Sequence, residues 1–556
     1  MLITGLICLC FRSVPPVAGQ NDTKPVTPIR FRDVAKEGGL KYVLENHPTP
    51  KKHMIETMAG GLAAFDYNGD GWTDIFFANG AVIPSLEKES PKYFNRLFRN
   101  EGGMKFSDVT EEAGVAGTGY SVGAATGDYD NDGDADLFVA GVNRHILYSN
   151  LGNGRFQDVT AEAGIRNQGW AVAAGWFDYD NDGWLDLFIV NYLDWSPEMD
   201  HYCGDRGRNI RAYCHPKFYA GLPNTLYRNR GDGTFEDVSK RSGLSQYIGK
   251  GMSIAFADYD IDGFMDVFVT NDKIPNSLFH NLGDGTFEEV ALISGVALAE
   301  HGKPISSMGS DFRDYDNDGL PDICHTALAG ETFPLYRNEG KGLFREVTYS
   351  SRLSLLSARW SGYGVGLFDF NNDGLKDLFT ANAHVNDVID HFESTQYKQS
   401  NTVFANIGGG QFRNVSEESG EGFKTPRAHR GAAFADFNND GRIDVVVCAL
   451  EGDAELWENI SPGDNRWLIL RLTGARSNRD GIGARIRIGN QFNHMTTAMS
   501  YGASSHFGVH FGVGRAEKID EIEIRWPSRT MQVVRDVPTN QVLQVSEPPL
   551  DAGGHR

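Results

Sequence analysis

Seven times along this chain an aspartate is followed by oxygen-bearing side chains two, four and eight residues on, with glycine at the sixth position. The loops hold Asp66, Asn68, Asp70 and Asp74; Asp128, Asp130, Asp132 and Asp136; Asp178, Asp180, Asp182 and Asp186; and Asp258, Asp260, Asp262 and Asp266. The last three hold Asp314, Asp316, Asp318 and Asp322; Asp369, Asn371, Asp373 and Asp377; and Asp436, Asn438, Asp440 and Asp444. Alternating oxygen ligands suit a hard cation, and calcium takes about six to eight of them, whereas magnesium gives up its waters reluctantly. Glycine at position 6 lets the chain turn back sharply. Position 7 varies freely, from Trp72 to Arg442, as expected where only a backbone carbonyl faces the ion. An EF-hand would carry Glu at position 12 between helices, but that position holds Phe77, Val139 or Val447 inside apolar runs. One Asp-Gly turn of this kind more often binds nothing. Seven of them, holding 25 carboxylates, repel themselves unless cations intervene. The sequence therefore predicts up to seven Ca²⁺ in a structural role, taking the formal charge from −22 to about −8.

The elements around these loops repeat with them. An L-[FYW]-x-N segment ends at Asn100, Asn150, Asn229, Asn281, Asn338, Asn406 (as VFAN) and Asn459, and an F-x-[DEN]-V segment starts at Phe31, Phe106, Phe156, Phe235, Phe287, Phe344 and Phe412. Each unit reads as four short strands: a small apolar strand before the Asp loop, an apolar run after it, the L-[FYW]-x-N strand, and the F-x-D-V strand beyond a G-x-G turn. Four-stranded antiparallel units repeated about an axis make a β-propeller, which hides sheet edges by closure. Seven units predict an all-β fold with seven blades. The chain opens on a lone fourth strand at Phe31 and its last unit lacks one, so the N-terminal strand is expected to complete blade seven.

Residues 465–547 differ. They alternate apolar and polar over short strands separated by Gly, Asn and Pro, which predicts a small antiparallel β-sandwich or barrel with Trp526 in its core. Arg479-Asp480-Gly481 reads first as a turn and only secondarily as a recognition motif. The D-x-[DN]-x-D-G-x-x-D loops with their G-x-x-F-x-D-V turns resemble the FG-GAP or VCBS repeats of integrin-α-like propellers. RWLILRLTG, SNRDGIGARIRI and IDEIEIRWPS resemble the ASPIC/UnbV domain that follows such repeats in the cartilage acidic protein family. The resemblance spans residues 30–547; SYGASSHFGVHFG departs from the family's usual Gly-rich turn. The expected organisation is a signal peptide over 1–20, a propeller over 30–461, the β domain over 465–547 and a tail over 548–556.

Chain direction separates two faces. Asp loops and G-x-G turns share one rim, and the other connections share the opposite face, with the two long insertions at 191–223 and 383–400. There the sequence places a ligand face of His53, Tyr120, Trp170, Lys250, Trp360, Tyr363, Arg427, His429 and Arg430, an aromatic and basic rim on an acidic protein. Taken singly, each is more often packing than contact. The first insertion carries Trp195, Tyr202, Tyr213, Phe218 and Tyr219 with Cys203 and Cys214, which predicts a disulfide-braced cap over the channel mouth.

The chain has 556 residues, 74 acidic against 52 basic, with no basic run, which excludes a nucleic-acid grip. An apolar run over Leu2–Phe11 followed by small residues resembles a secretory signal, and no segment is apolar enough to span a bilayer. Cys324 and Cys448 lie in strand patterns and are expected to be buried free thiols. These readings converge on a secreted or cell-envelope, calcium-stabilised binding or scaffold protein with a protein or glycan partner on the face opposite the calcium loops. The alternative is a polysaccharide lyase or hydrolase on the same scaffold. No catalytic residue is assigned, because the sequence shows no nucleophile elbow, P-loop, dinucleotide fingerprint or HExxH motif.

Overall fold

The computed structural model describes residues 27–166, 168–199 and 201–549. The signal-peptide reading, with Cys8 and Cys10, lies outside the described residues, as does most of the tail.

Each repeat forms one sheet. In the second, Ser121–Gly127, Asp136–Gly141, Ile146–Asn150 and Phe156–Asp158 pair antiparallel in sequence order. The turn into each second strand is the Asp loop, so the loops gather on one rim. The small first strands stand side by side around the axis, from Leu62–Phe65 round to His429–Ala435, which packs back on the first. Seven blades thus form an all-β ring. Phe31–Asp33 completes the seventh, with Phe31 opposite Asn459 and Asp33 opposite Trp457. Phe31 is 3% exposed and sets its ring edge-on to Phe370 at 5.4 Å.

After the fourth strand the chain makes a single helical turn in several blades, as at Thr110–Ala113. Asp108 of the F-x-D-V segment accepts the backbone N–H of Thr110 at 3.0 Å and starts the turn. Gly114, at φ 79°, ends it in the left-handed conformation.

The C-terminal region forms two sheets. The four-stranded one, in the order Gln491–His494, Arg485–Ile488, Lys518–Arg525, Met531–Pro538, is antiparallel throughout. The three-stranded one corrects the expected all-antiparallel sandwich, because Arg466–Thr473 runs parallel to Gln541–Ser546. Trp526 is buried as expected.

This region is not a free appendage. It sits on the Asp-loop rim and sends the hairpin Ala498–Met499/Ala503–His506 into the channel of the ring. Ala503–His506 adds to blade one as a parallel strand inside Leu62–Phe65. Around it, Gly502 O accepts from Ala124 N at 3.0 Å, Ser500 Oγ from Val365 N at 3.0 Å and Ser505 Oγ from Phe434 N at 2.9 Å. The axis is crowded enough that a Cβ on Gly61 would stand 2.4 Å from Val122 O and 2.5 Å from Gly502 O. The segment SYGASSH, read from sequence as a turn, is the plug of the propeller. Among the described residues no helix is long and apolar enough to cross a membrane.

Candidate metal loops and the face opposite them

The seven Asp loops share one hydrogen-bonding scheme. The position 1 carboxylate accepts the N–H groups of positions 5 and 6, as Asp178 does from Asp182 at 3.0 Å and Gly183 at 2.9 Å. Position 5 accepts from position 7, as Asp182 does from Trp184. The position 9 carboxylate, buried under the loop, accepts from position 2 with one oxygen and from the companion Asn with the other. Asp186, for example, takes Tyr179 N at 3.1 Å and Asn229 N at 2.8 Å.

The Asn of L-[FYW]-x-N does more than end a strand. Its Nδ2 reaches the loop of the preceding blade, at the carbonyl of position 2: Asn150 to Tyr67, Asn229 to Tyr129, and so round to Asn100 with Phe437 of blade seven, at 2.8 Å each. The loops are therefore tied into one circuit. Its constancy in all seven units was the signal available in the sequence.

Carboxylate oxygens of positions 1, 3 and 9 lie within 4.8 Å of one another in loops two, three and five, as do those of positions 1, 3 and 5 in loop four. Burial, and then the neighbouring carboxylates, push Asp178 up to about 8 and Asp436 up to about 7. Asp180 Oδ1 and Asp316 Oδ1 are buried without a hydrogen-bond partner. Their other oxygens are held by Arg228 Nε at 2.8 Å and Arg337 Nε at 2.6 Å. An orphaned carboxylate oxygen in a repelling cluster is what a hard cation satisfies, so these residues fit calcium. Such an ion would supply charge and cross-links; each loop lacks the histidine-rich, open coordination of a catalytic metal site apart from His280, bonded to Asp266 in loop four.

The C-terminal domain docks on this rim. Asp480 Oδ2 accepts Asp128 N at 2.8 Å, and its Oδ1 meets His506 Nε2 at 3.2 Å. Asp480 is thus an interdomain staple, which overturns any reading of Arg479-Asp480-Gly481 as a free recognition motif.

On the opposite face the expected rim is mostly core. Tyr120, Trp170, Tyr363, His429 and Arg430 are 0–1% exposed, and His53 is 5% exposed. Tyr120 donates to the backbone carbonyls of Asn46 and Ile55, and Arg430 stacks over Tyr363 at 4.1 Å. His429 and Arg427 share Glu455, at 3.1 and 2.9 Å. Lys250 Nζ donates to Pro216 O at 2.7 Å, and Trp360 lies under Arg359 at 4.4 Å. The correction has a simple cause. Residues at the start of the first strands, or just before them, turn inward against the plugged axis, where large side chains fill space.

The two insertions line a cavity on this face. Cys203 and Cys214 are bonded, bracing a small hairpin of Cys203–Asp205 and Ile210–Ala212. Trp195 packs edge-on to Trp170, and the Tyr213 hydroxyl donates to Glu56 Oε2 at 2.9 Å. Between this cap and the 383–400 insertion lies a cavity of about 330 Å³, lined by Tyr213, His215, Lys273, Glu331, His384 and Asn386 among others. Lys273 is paired with Glu331, whose second oxygen accepts Ser306 N at 2.9 Å. Burial pushes His384 down to about 4, and its Nδ1 accepts from Asn386 N, leaving a neutral ring. Sequence reading missed Lys273 and Glu331, because only the ring brings blades four and five against the cap, and it passed over His215 within the cap itself. Cys324 and Cys448 are buried free thiols.

The FG-GAP-like repeat family matches this chain at 66–139, 128–189, 218–269, 258–325 and 388–447, more than half of it, and the ASPIC and UnbV family at 474–551. Cartilage acidic protein 1 of Homo sapiens is 26% identical over 340 residues, covering 58% of this chain and 48% of that protein. The Mus musculus protein is 26% identical over 341 residues, covering 58% and 49%. The matched part thus spans about half the length of these relatives. Among solved structures, an Agrocybe aegerita lectin with specific recognition of non-reducing terminal N-acetylglucosamine is 15% identical with TM-score 0.39, covering 71% of this chain and 87% of its own. YCF48 bound to D1 peptide is 8% identical with TM-score 0.41, covering 72% and 91%. A rhamnogalacturonan lyase of Bacillus licheniformis is 12% identical with TM-score 0.36, covering 77% and 75%. With seven aspartate loops on one rim and a docked C-terminal β domain, the chain belongs to the FG-GAP-like repeat proteins that carry an ASPIC and UnbV domain.

Proposed function

We propose that this protein is an exported, calcium-stabilised binding protein that holds its partner at the capped cavity opposite the metal loops. One observation carries the reading. The two longest departures from the repeat converge, with a disulfide, on a cavity of about 330 Å³, while the plug fills the channel beside it. That volume is in the range of small-ligand sites, about 300–1,000 Å³. Such a site takes a side chain or sugar unit of a larger extracellular partner. The calcium loops would hold the ring and the docked domain in shape.

The enzyme alternative needs a convergent acid and base. His215, Asp272 and Glu393 line the cavity too, but its Lys273–Glu331 pair is closed on itself, Asp272 accepts the Tyr192 hydroxyl, and His384 is neutral and engaged. Binding is therefore the better reading. A glycan array and an overlay of extracellular matrix proteins, each run in calcium and in EDTA, test it. Retained partners should be lost on replacing 196–220 with a short Gly-Ser bridge, in a protein that still melts cooperatively. Undiminished binding by the trimmed protein, or shortened polysaccharide products, would refute the reading.

A further inference from the structure

Loop four differs from its companions in the groups it gathers. In loops two, three and five the clustered carboxylates are those of positions 1, 3 and 9, whereas in loop four Asp258, Asp260 and Asp262 of positions 1, 3 and 5 come together. Its position 9 carboxylate, Asp266, is gathered instead with Asp260 and His280, with one ligand atom from each within 4.8 Å of the others. His280 Nδ1 stands 3.1 Å from Asp266 Oδ1 and 3.7 Å from Asp260 Oδ2. Loop four thus has two donor sets that share Asp260, one all oxygen and one with an imidazole nitrogen. The side chains of His280 and Asp260 are 22% and 24% exposed, so solvent and its ions reach two of the three groups.

One residue makes the difference. His280 holds the variable position of the strand Ser277–Asn281, and no other unit has histidine there. Blades three and five carry Arg228 and Arg337, each of which donates to the carboxylates of positions 3 and 5. An arginine there fills the loop with a permanent cation and offers no lone pair, whereas a histidine ligates once its nitrogen gives up a proton. Nor does His280 simply replace the arginine as a counter-charge, because it turns to position 9 rather than position 5. Asp266 Oδ1 already accepts Asn281 N at 2.9 Å, and its Oδ2 accepts Tyr259 N at 3.2 Å. The ring is not needed to satisfy that carboxylate.

The spacing narrows the class of ion. Ligands at about 2.0–2.2 Å in a tetrahedral array stand about 3.3–3.6 Å apart, and the two separations from Nδ1 fall on either side of that range. Calcium takes oxygen ligands at longer distances and in greater number, while imidazole joined to carboxylates suits zinc. We propose that loop four binds zinc through Asp260, Asp266 and His280, the proton on Nδ1 passing to solvent as the ion enters. The site is independent of the capped cavity and of calcium in the other six loops, so it stands or falls alone.

Titration of the full chain in millimolar calcium tests this, with Zn²⁺ followed by calorimetry and Co²⁺ by its visible absorption. The tightest zinc should bind at one per chain without being displaced by calcium, with Mn²⁺, which favours oxygen, at least about tenfold weaker. His280→Gln removes the ligating nitrogen, and His280→Arg copies blades three and five. Each should weaken zinc about tenfold or more, since even outer-shell losses cost that much, and each should abolish the Co²⁺ band. Zinc should raise the Tm of the parent and not of the variants, and His280→Arg should melt in zinc-free calcium as the parent does. No zinc bound in calcium, displacement of zinc by calcium, a preference for Mn²⁺, or unchanged zinc affinity in both variants would overturn the proposal.

Discussion

Position 4 of every Asp loop has a left-handed backbone: Gly69 (φ 70°), five asparagines near 55–62°, and Ile261 at 66°. Asparagine tolerates that region, whereas a β-branched residue does so at a cost of about 1–2 kcal/mol. Ile261→Asn should therefore stabilise the protein by about 1 kcal/mol, read as a higher urea midpoint at unchanged m-value. A lower midpoint would show that Ile261 packs usefully in spite of its backbone. Glu547 makes a second residue-scale case. Burial pushes its carboxyl up, but the N–H groups of Ala475, Arg476 and Ser477, at 2.8–2.9 Å, and the Ser528 hydroxyl outweigh that and hold it at about 2. A depressed folded pKa means stability that is present above the ordinary value near 4.5 and lost as pH falls from there toward 2. Glu547→Gln should cost about 1–3 kcal/mol at pH 7 and progressively less below pH 4. A pH-independent difference between variant and parent would contradict this.

At the scale of elements, the ring depends on a three-residue strand contributed from the other end of the propeller. Phe31 fills a pocket against Phe370, Phe379 and Phe423, so Phe31→Asp removes a buried ring and inserts a charge. The expected loss is about 3 kcal/mol or more, checked by denaturant melts. A mild effect would mean that blade seven holds without its fourth strand. This closure was legible in the sequence because the motif register fixes it: a lone F-x-D-V at the start, and a last unit without one. The parallel pair in the C-terminal domain was not legible. Alternation of apolar and polar residues marks Arg466–Thr473 and Gln541–Ser546 as strands but is silent about their relative direction.

Across the whole molecule, the loops, the asparagine circuit and the docked domain share one rim. An ion bound at any of these loops would therefore stabilise a single cooperative ring. At ten times Kd each site adds about 1.4 kcal/mol, so removing calcium with EDTA should lower Tm by many degrees. Identical melts in EDTA and in millimolar calcium would remove calcium from the account. The docking contacts predict, further, that chelation loosens the C-terminal domain along with the blades, visible as one shared transition.

The sequence alone determined the blade, its sevenfold repetition and the metal-type loops, because each is set by short-range spacing and by period, and it offered Cys203 and Cys214 as a pair that the structure shows bonded. Tertiary structure decided the rest. The plug bonds Tyr501 to Met58 and Ser504 to Thr126, partners 443 and 378 residues away, so a stretch of small residues looked like a turn. Nine residues expected on a ligand rim proved largely core, because a filled axis draws large side chains inward, and the cavity passed to the insertions. Spacing along a chain fixes local geometry; which surfaces face solvent is settled only when distant elements meet.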